Sequence, residues 1–156
     1  GSVPTGIAVG KAAPAFKLNN QAGESTQLKD FKGTWIVLYF YPKDDTPGCT
    51  VQACALRDAN AELAAKGVTV VGISTDAPAK LAKFAQRDEL NFTLLSDEDH
   101  KVADAFGVWG EKKFMGKVYD GLHRISFLIG QNGKVEKVFD TFKTKDHHQV
   151  VLDYLA

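Results

Sequence analysis

The run "WIVLYFY", residues 35 to 41, is apolar at every position. A strand with one wet face alternates, whereas one covered on both faces does not, so this run predicts a central strand of a sheet layered by helices on either side. Three further runs repeat the signal: "VTVVGIS" (68–74), "FTLLS" (92–96) and "RISFLIG" (124–130). Helical stretches separate them. Residues 47 to 66 end at Gly67, a C-terminal cap, and residues 78 to 88 open with Pro78 in the first turn after Asp76. A shorter helix is expected near 98 to 106, after Ser96-Asp97. "GQNGK" at 130–134 joins "RISFLIG" to "KVEKVF" as an antiparallel hairpin. "KDHHQVVLDYLA" closes the chain as a helix with Val150, Val151, Tyr154 and Leu155 on one side.

Before the central strand, "FKL" and "STQL" flank Asn20-Gln21-Ala22-Gly23, which reads as an N-terminal hairpin. The element order predicts an α/β sandwich around a mixed sheet, parallel wherever a helix crosses over. Residues 107–123, "GVWGEKKFMGKVYDGLH", lack either periodicity and read as a loop carrying Trp109, Phe114, Met115 and Tyr119. No repeat, low-complexity tract or linker interrupts the 156 residues, so one domain over 1–156 is expected, with Gly1-Ser2 reading as an expression scar.

Nineteen basic residues balance 19 acidic ones, which leaves no global field for nucleic acid or an anionic membrane. No apolar run reaches the ~18 residues of a membrane span, and no basic stretch followed by an apolar one marks a secretory signal. Two cysteines are too few for a disulfide framework, which favours a reducing compartment, and a cytoplasmic location is expected.

Both cysteines lie in "FYPKDDTPGCTVQAC", five positions apart. The spacing is neither the Cys-x-x-Cys of a dithiol pair nor half of a zinc set. In an open α/β sheet, ligands bind beyond the carboxyl ends of the strands, where this stretch falls. Thr46 is a good N-cap and Pro47 suits the first helical position, so Cys49 occupies the third. A thiolate there faces unpaired N–H groups and the positive end of the helix dipole, and is expected to titrate below the ~8.5 of a free thiol. A reactive nucleophile is expected rather than a small core cysteine.

On a helical wheel Ala55, Leu56, Ala59 and Leu63 define the face toward the sheet, Cys49 borders it, and Cys54 points to solvent. Residues five apart in an intact helix have Cα atoms about 8.7 Å apart, beyond the ~7 Å limit for a disulfide. Either the thiols never pair or the first turn unwinds, and Gly48 within that turn makes unwinding cheaper by about 1 kcal/mol relative to alanine. A thiolate oxidised to a sulfenic acid condenses with a nearby thiol, the chemistry this spacing suits.

Pro42-x-x-x-Thr46-x-x-Cys49 resembles the active-site motif of peroxiredoxins, and with Cys54 it resembles their bacterioferritin comigratory protein (PrxQ) subfamily. "GISTD", "NFTLLSDEDH", "FGVWGEKKFMGK", "GLHRISFLI" and "FKTKDHH" extend the likeness along almost the whole chain. The resemblance implies a thioredoxin-like sandwich with an N-terminal extension, and a monomer. It implies a thiol peroxidase for hydrogen peroxide and organic hydroperoxides, without metal or cofactor. Cys49 would attack the O–O bond and Cys54 would resolve the product as an intramolecular disulfide. Thioredoxin, or glutaredoxin, would reduce that disulfide. Thr46 would give its hydroxyl to the sulfur and the bound peroxide, with Gly48 beside it. Pro42 would shield the sulfur from water, and Arg124 would stabilise thiolate and peroxide.

Two other functions fit parts of the sequence: a dithiol oxidoreductase or isomerase, which the missing Cys-x-x-Cys disfavours, and a thioredoxin-like binding or chaperone-type module with incidental thiols. His147 and His148 point about 100° apart on a helix and read as a solvated helix start rather than a metal site. His100 reads as a surface residue and "DEDH" as a solvated cap, while His123 is expected either to line the site or to pack.

Overall fold

The computed structural model describes residues 3–43 and 47–156. Strand β3 (Trp35–Phe40) lies inside a seven-stranded sheet of order β2-β1-β5-β4-β3-β8-β9, numbered along the chain. It pairs in parallel with β4 (Val68–Ser74), which pairs in parallel with β5 (Thr93–Ser96). On its other side lie antiparallel β8 (Ser126–Ile129) and β9 (Val135–Phe139). The N-terminal hairpin, β1 (Lys17–Asn20) and β2 (Ser25–Gln27), extends the far edge, with Asn19 opposite Ser96. The Gln21 side chain seals that junction, donating to Phe92 O and accepting from Leu94 N.

The unbroken apolar run of β3 serves two cores. Val37 and Tyr39 face the cluster under helices α1 (Pro47–Ala65), α2 (Pro78–Arg87) and α4 (His147–Leu155). Ile36, Leu38 and Phe40 face a second cluster with Ala103 of α3 (Lys101–Ala105), Phe106 and Phe127. Gly72 in β4 is required by packing, because a Cβ there would lie 2.9 Å from the Tyr39 ring. Gly67, with φ +77°, turns the chain out of α1 into β4.

The segment 107–123 is not a loop. Residues Trp109–Phe114 and Lys117–Leu122 form an antiparallel hairpin, β6 and β7, outside the main sheet. Met115 (φ 51°) and Gly116 (φ 79°) make a two-residue turn of the primed kind. Its outer part is exposed all round, Phe114, Met115, Val118 and Tyr119 included, so no alternation of apolar and polar residues betrays the strands.

Four further expectations are corrected. The helix near 98–106 spans only Lys101–Ala105: His100 sits in the left-handed region (φ 51°), and buried Asp97 caps the helix by accepting from Val102 N and Ala103 N. Asp97 is thus no solvated end of "DEDH"; burial raises its pKa, opposed by those backbone bonds. In α4, His147, Val151 and Leu152 are buried, while Tyr154 is exposed with its ring edge on Phe139. In α1 the inward residues are Cys49, Gln52, Ala53, Leu56 and Leu63, with Ala55 only half-buried.

Candidate active site

Helix α1 begins at Pro47, beyond the carboxyl end of β3, and places Cys49 in its first turn. The thiol is 2% exposed and belongs to the core cluster with Ala53 and Leu56, one and two turns on. It is therefore on the packed face rather than at its border. Cys54 is half-buried, less open than the wheel suggested; both thiols are free.

Arg124 lies between β7 and β8, in a segment held on every side. His123 N donates to Val108 O at 2.8 Å, Phe40 N donates to Ile125 O at 3.0 Å, and Ser126 pairs with Tyr39. From that anchor the guanidinium reaches α1 at two points. Nη2 donates to Cys49 Sγ at 3.4 Å, and Nη1 donates to Gln52 Oε1 at 2.6 Å. Gly48 lies beside the guanidinium, where a Cβ would sit 3.5 Å from Arg124 Nη2, an ordinary contact distance. Pro42 is half-buried at the end of β3. Thr46 lies outside the described residues. The structure thus brings Cys49, Gly48 and Arg124 together.

Gln52 was not singled out in the sequence, yet its side chain is fully buried. Its i+3 spacing from Cys49 placed it on the same face, a signal masked by its polarity. Its Nε2 has no partner among the described residues. Lys112 of β6 is a second cation near the site: burial and then Arg124 push its pKa down from the usual lysine range, while Cys49 opposes them. His147 is buried rather than solvated, sharing a 2.8 Å hydrogen bond between its Nε2 and Ser126 Oγ. Its ring also packs against Tyr39 and Phe142. Burial above all, then His148 and Arg124, lowers its pKa to about 3. His123 packs, with Nε2 bound to Glu111 O at 2.8 Å, and His100 stacks on Trp109 at 3.9 Å. Among the described residues no group of histidines, cysteines and carboxylates could hold a metal ion, and no helix is long and apolar enough to cross a membrane.

A buried thiol at a helix start, with a guanidinium donating to its sulfur, is equipped to carry negative charge and to stabilise charge on an oxygen beside it. The model of the AhpC/TSA family matches residues 9–138. The chain belongs to the AhpC/TSA family. Its relatives place it among the peroxiredoxins of the Bcp type. The peroxiredoxin Bcp of Escherichia coli (strain K12) is 62% identical, covering 96% of this chain and 96% of its own. The putative peroxiredoxin bcp of Haemophilus influenzae is 61% identical with the same coverage. Two solved structures carry the likeness into three dimensions. The Xanthomonas campestris bacterioferritin comigratory protein has a TM-score of 0.84 at 33% identity, covering 90% of this chain and 89% of its own. Peroxidoxin BcpB from Mycobacterium tuberculosis has 0.83 at 36%, covering 94% and 95%. The peroxiredoxin's fold is accordingly thioredoxin-like, with the mixed sheet expected from its sequence.

Proposed function

We propose that this peroxiredoxin reduces hydrogen peroxide and organic hydroperoxides at Cys49, resolves on Cys54, and is reset by thioredoxin or glutaredoxin. The observation that carries the reading is the Arg124 guanidinium on the buried Cys49 sulfur. The Cys49 thiolate donates an electron pair to the near oxygen of the peroxide. The O–O bond breaks, the sulfur becomes a sulfenic acid, and the far oxygen leaves as hydroxide or alkoxide and takes a proton. Negative charge moves from sulfur to the leaving oxygen during this step, so Arg124 and the first N–H groups of α1 hold it throughout. Thr46 supplies a hydroxyl to sulfur and peroxide, Pro42 limits water at the sulfur, and Gly48 borders the substrate site beside Arg124.

Cys54 then attacks the sulfenic sulfur, expelling water and forming the disulfide. The intact helix keeps the two Cα atoms about 8.7 Å apart, so the first turns of α1 open before this step. An external dithiol exchanges with the disulfide and restores both thiols. The substrate range fits a neighbour whose structural study concerns alkyl peroxide reduction. The chain acts as a monomer in a reducing, cytoplasmic setting.

The test is one equivalent of hydrogen peroxide added to reduced protein, quenched within milliseconds to seconds. The peptide "DDTPGCTVQACALR" is then weighed. Rapid loss of two hydrogens is expected, far faster than in the same chain unfolded in denaturant. Equal rates in folded and unfolded chains would sink the reading.

A further inference from the structure

Lys112 sits on a hairpin whose other lysines, Lys113 and Lys117, extend into solvent, yet its own side chain is half-buried and folds back toward the hairpin base. Its Nζ donates to Leu122 O at 2.9 Å. Gly121 makes that path possible, because a Cβ there would lie 2.9 Å from Lys112 Cδ and 3.3 Å from the Tyr119 ring. A flexible, strongly hydrated ammonium gives up water and rotamer freedom to adopt such a pose, which a carbonyl acceptor only partly offsets.

The acceptor is informative. Leu122 stands two residues before Arg124, and the intervening His123 is pinned in the opposite sense, its Nε2 bound to Glu111 O at 2.8 Å. Adjacent residues of β6 thus hold adjacent residues at the end of β7, and both bonds brace the segment that delivers Arg124 to Cys49. Lys112 also lies within electrostatic reach of Arg124 and the Cys49 sulfur. Two cations repel one another, so their convergence is favourable only where an anion is to be held between or beside them.

We propose that Lys112 is a positioning residue of the peroxide site, pinned to the Leu122 carbonyl so that it braces Arg124 and adds a second positive charge to the field at Cys49. The proposal rests on Cys49 being the attacking sulfur. Removing the lysine lowers the rate at which peroxide oxidises that sulfur without removing any group that touches the reacting atoms.

Stopped-flow oxidation by hydrogen peroxide at pH 6 and pH 9 tests this on reduced full-length wild type, Lys112→Met, Lys112→Arg, Gly121→Ala and Cys49→Ser. Lys112→Met keeps the stem and loses charge and donor; a slowing of about tenfold at pH 6, smaller at pH 9, is expected, the scale of one electrostatic contact. Lys112→Arg restores the rate to within about threefold of wild type, a rescue a mere filler of space would not need. Gly121→Ala displaces the lysine stem while leaving its charge, and slows the reaction by a smaller factor at unchanged far-UV circular dichroism. Folded Lys112→Met reacting within twofold of wild type at both pH values would overturn the proposal; so would Lys112→Arg reacting no faster than Lys112→Met. Should Lys112→Met not fold, a Gly121→Ala rate equal to wild type overturns it instead. A slow wild type, or a Cys49→Ser variant that still consumes peroxide, would remove the Cys49 reading itself, which separates the two failures.

Discussion

Replacing Arg124 by methionine keeps most of the side-chain volume and deletes both of its contacts with α1, the 3.4 Å bond to Cys49 Sγ and the 2.6 Å bond to Gln52 Oε1. A hydrogen bond to a charged group contributes roughly 1.5–3 kcal/mol. Arg124 is half-buried, so water screens part of that and the lower half of the range applies. At about 1.4 kcal/mol per decade, the rate constant for oxidation of Cys49 should fall roughly 10- to 40-fold. A second, separate loss follows. Gln52 is fully buried and its Nε2 already lacks a partner among the described residues, so Arg124→Met strands the whole amide, costing about 1–3 kcal/mol of stability. The double variant Arg124→Met/Gln52→Leu should recover much of that stability and none of the rate, because it removes the orphaned amide without returning the cation. Arg124→Lys falls between, since one ammonium cannot reproduce a fork that spans two acceptors. Stopped-flow peroxide oxidation gives the rates and urea titration the stabilities. Arg124→Met reacting within threefold of wild type, while Cys49→Ser abolishes the reaction, would refute the role assigned to the guanidinium.

Two further outcomes follow from the same geometry. Cys54→Ser should react with the first equivalent of peroxide at the wild-type rate, because Cys54 does not touch Arg124. It should then stop as a sulfenic acid that dimedone traps, and a first-equivalent rate well below wild type, or no dimedone adduct on Cys49, would contradict this. The buried His147 should make the fold acid-sensitive. Its folded pKa, about 3, lies below the ordinary 6.5, so as pH falls through 6.5 the unfolded chain takes up a proton that the folded chain refuses. Its contribution is therefore whole above pH 6.5 and declines toward pH 3, by about 2 kcal/mol between pH 6.5 and 4.5. Ser126→Ala/His147→Phe removes both partners of the hydrogen bond, and its urea midpoint should fall less steeply over that window. Asp97, whose raised pKa acts in the opposite sense, cancels in the comparison. Equal slopes in the two proteins would show that His147 is protonated in the native state.

The central strands were readable because burial on both faces leaves its mark on every residue of a run such as 35–41. The hairpin β6–β7 was not, because both faces of its outer half meet water and Phe114 and Val118 lie exposed, removing the contrast on which a period of two depends. Cys49 was legible from its place at a helix start and Arg124 only by resemblance to a family pattern, and the 3.4 Å contact gives that pairing a physical form. Gln52 escaped a wheel drawn through apolar residues alone, since what makes its burial tolerable is a partner 72 positions away. His147 escaped for the same reason: two adjacent histidines at a helix start look solvated until Ser126, Tyr39 and Phe142 close around one of them. Buried polar residues whose partners are remote in sequence are the part that local pattern does not encode.

One guanidinium holds α1 at residues 49 and 52, three positions apart and hence on one face of its first turns. On the proposed mechanism, the group that donates to the attacking sulfur is therefore also a staple across the turns that open for Cys54 to reach it. These two duties conflict only while the sulfur is charged. On the proposed mechanism, Cys49 carries a neutral sulfenic acid once peroxide has been reduced, and Arg124 keeps its charged donor but loses the attraction of a charge on the sulfur. That mechanism would hold the helix more firmly while the sulfur is charged than afterwards, when the resolving thiol is needed. Gly48, which forgoes about 1 kcal/mol of helix stability relative to alanine in that same turn, lowers the cost of the opening that this mechanism requires.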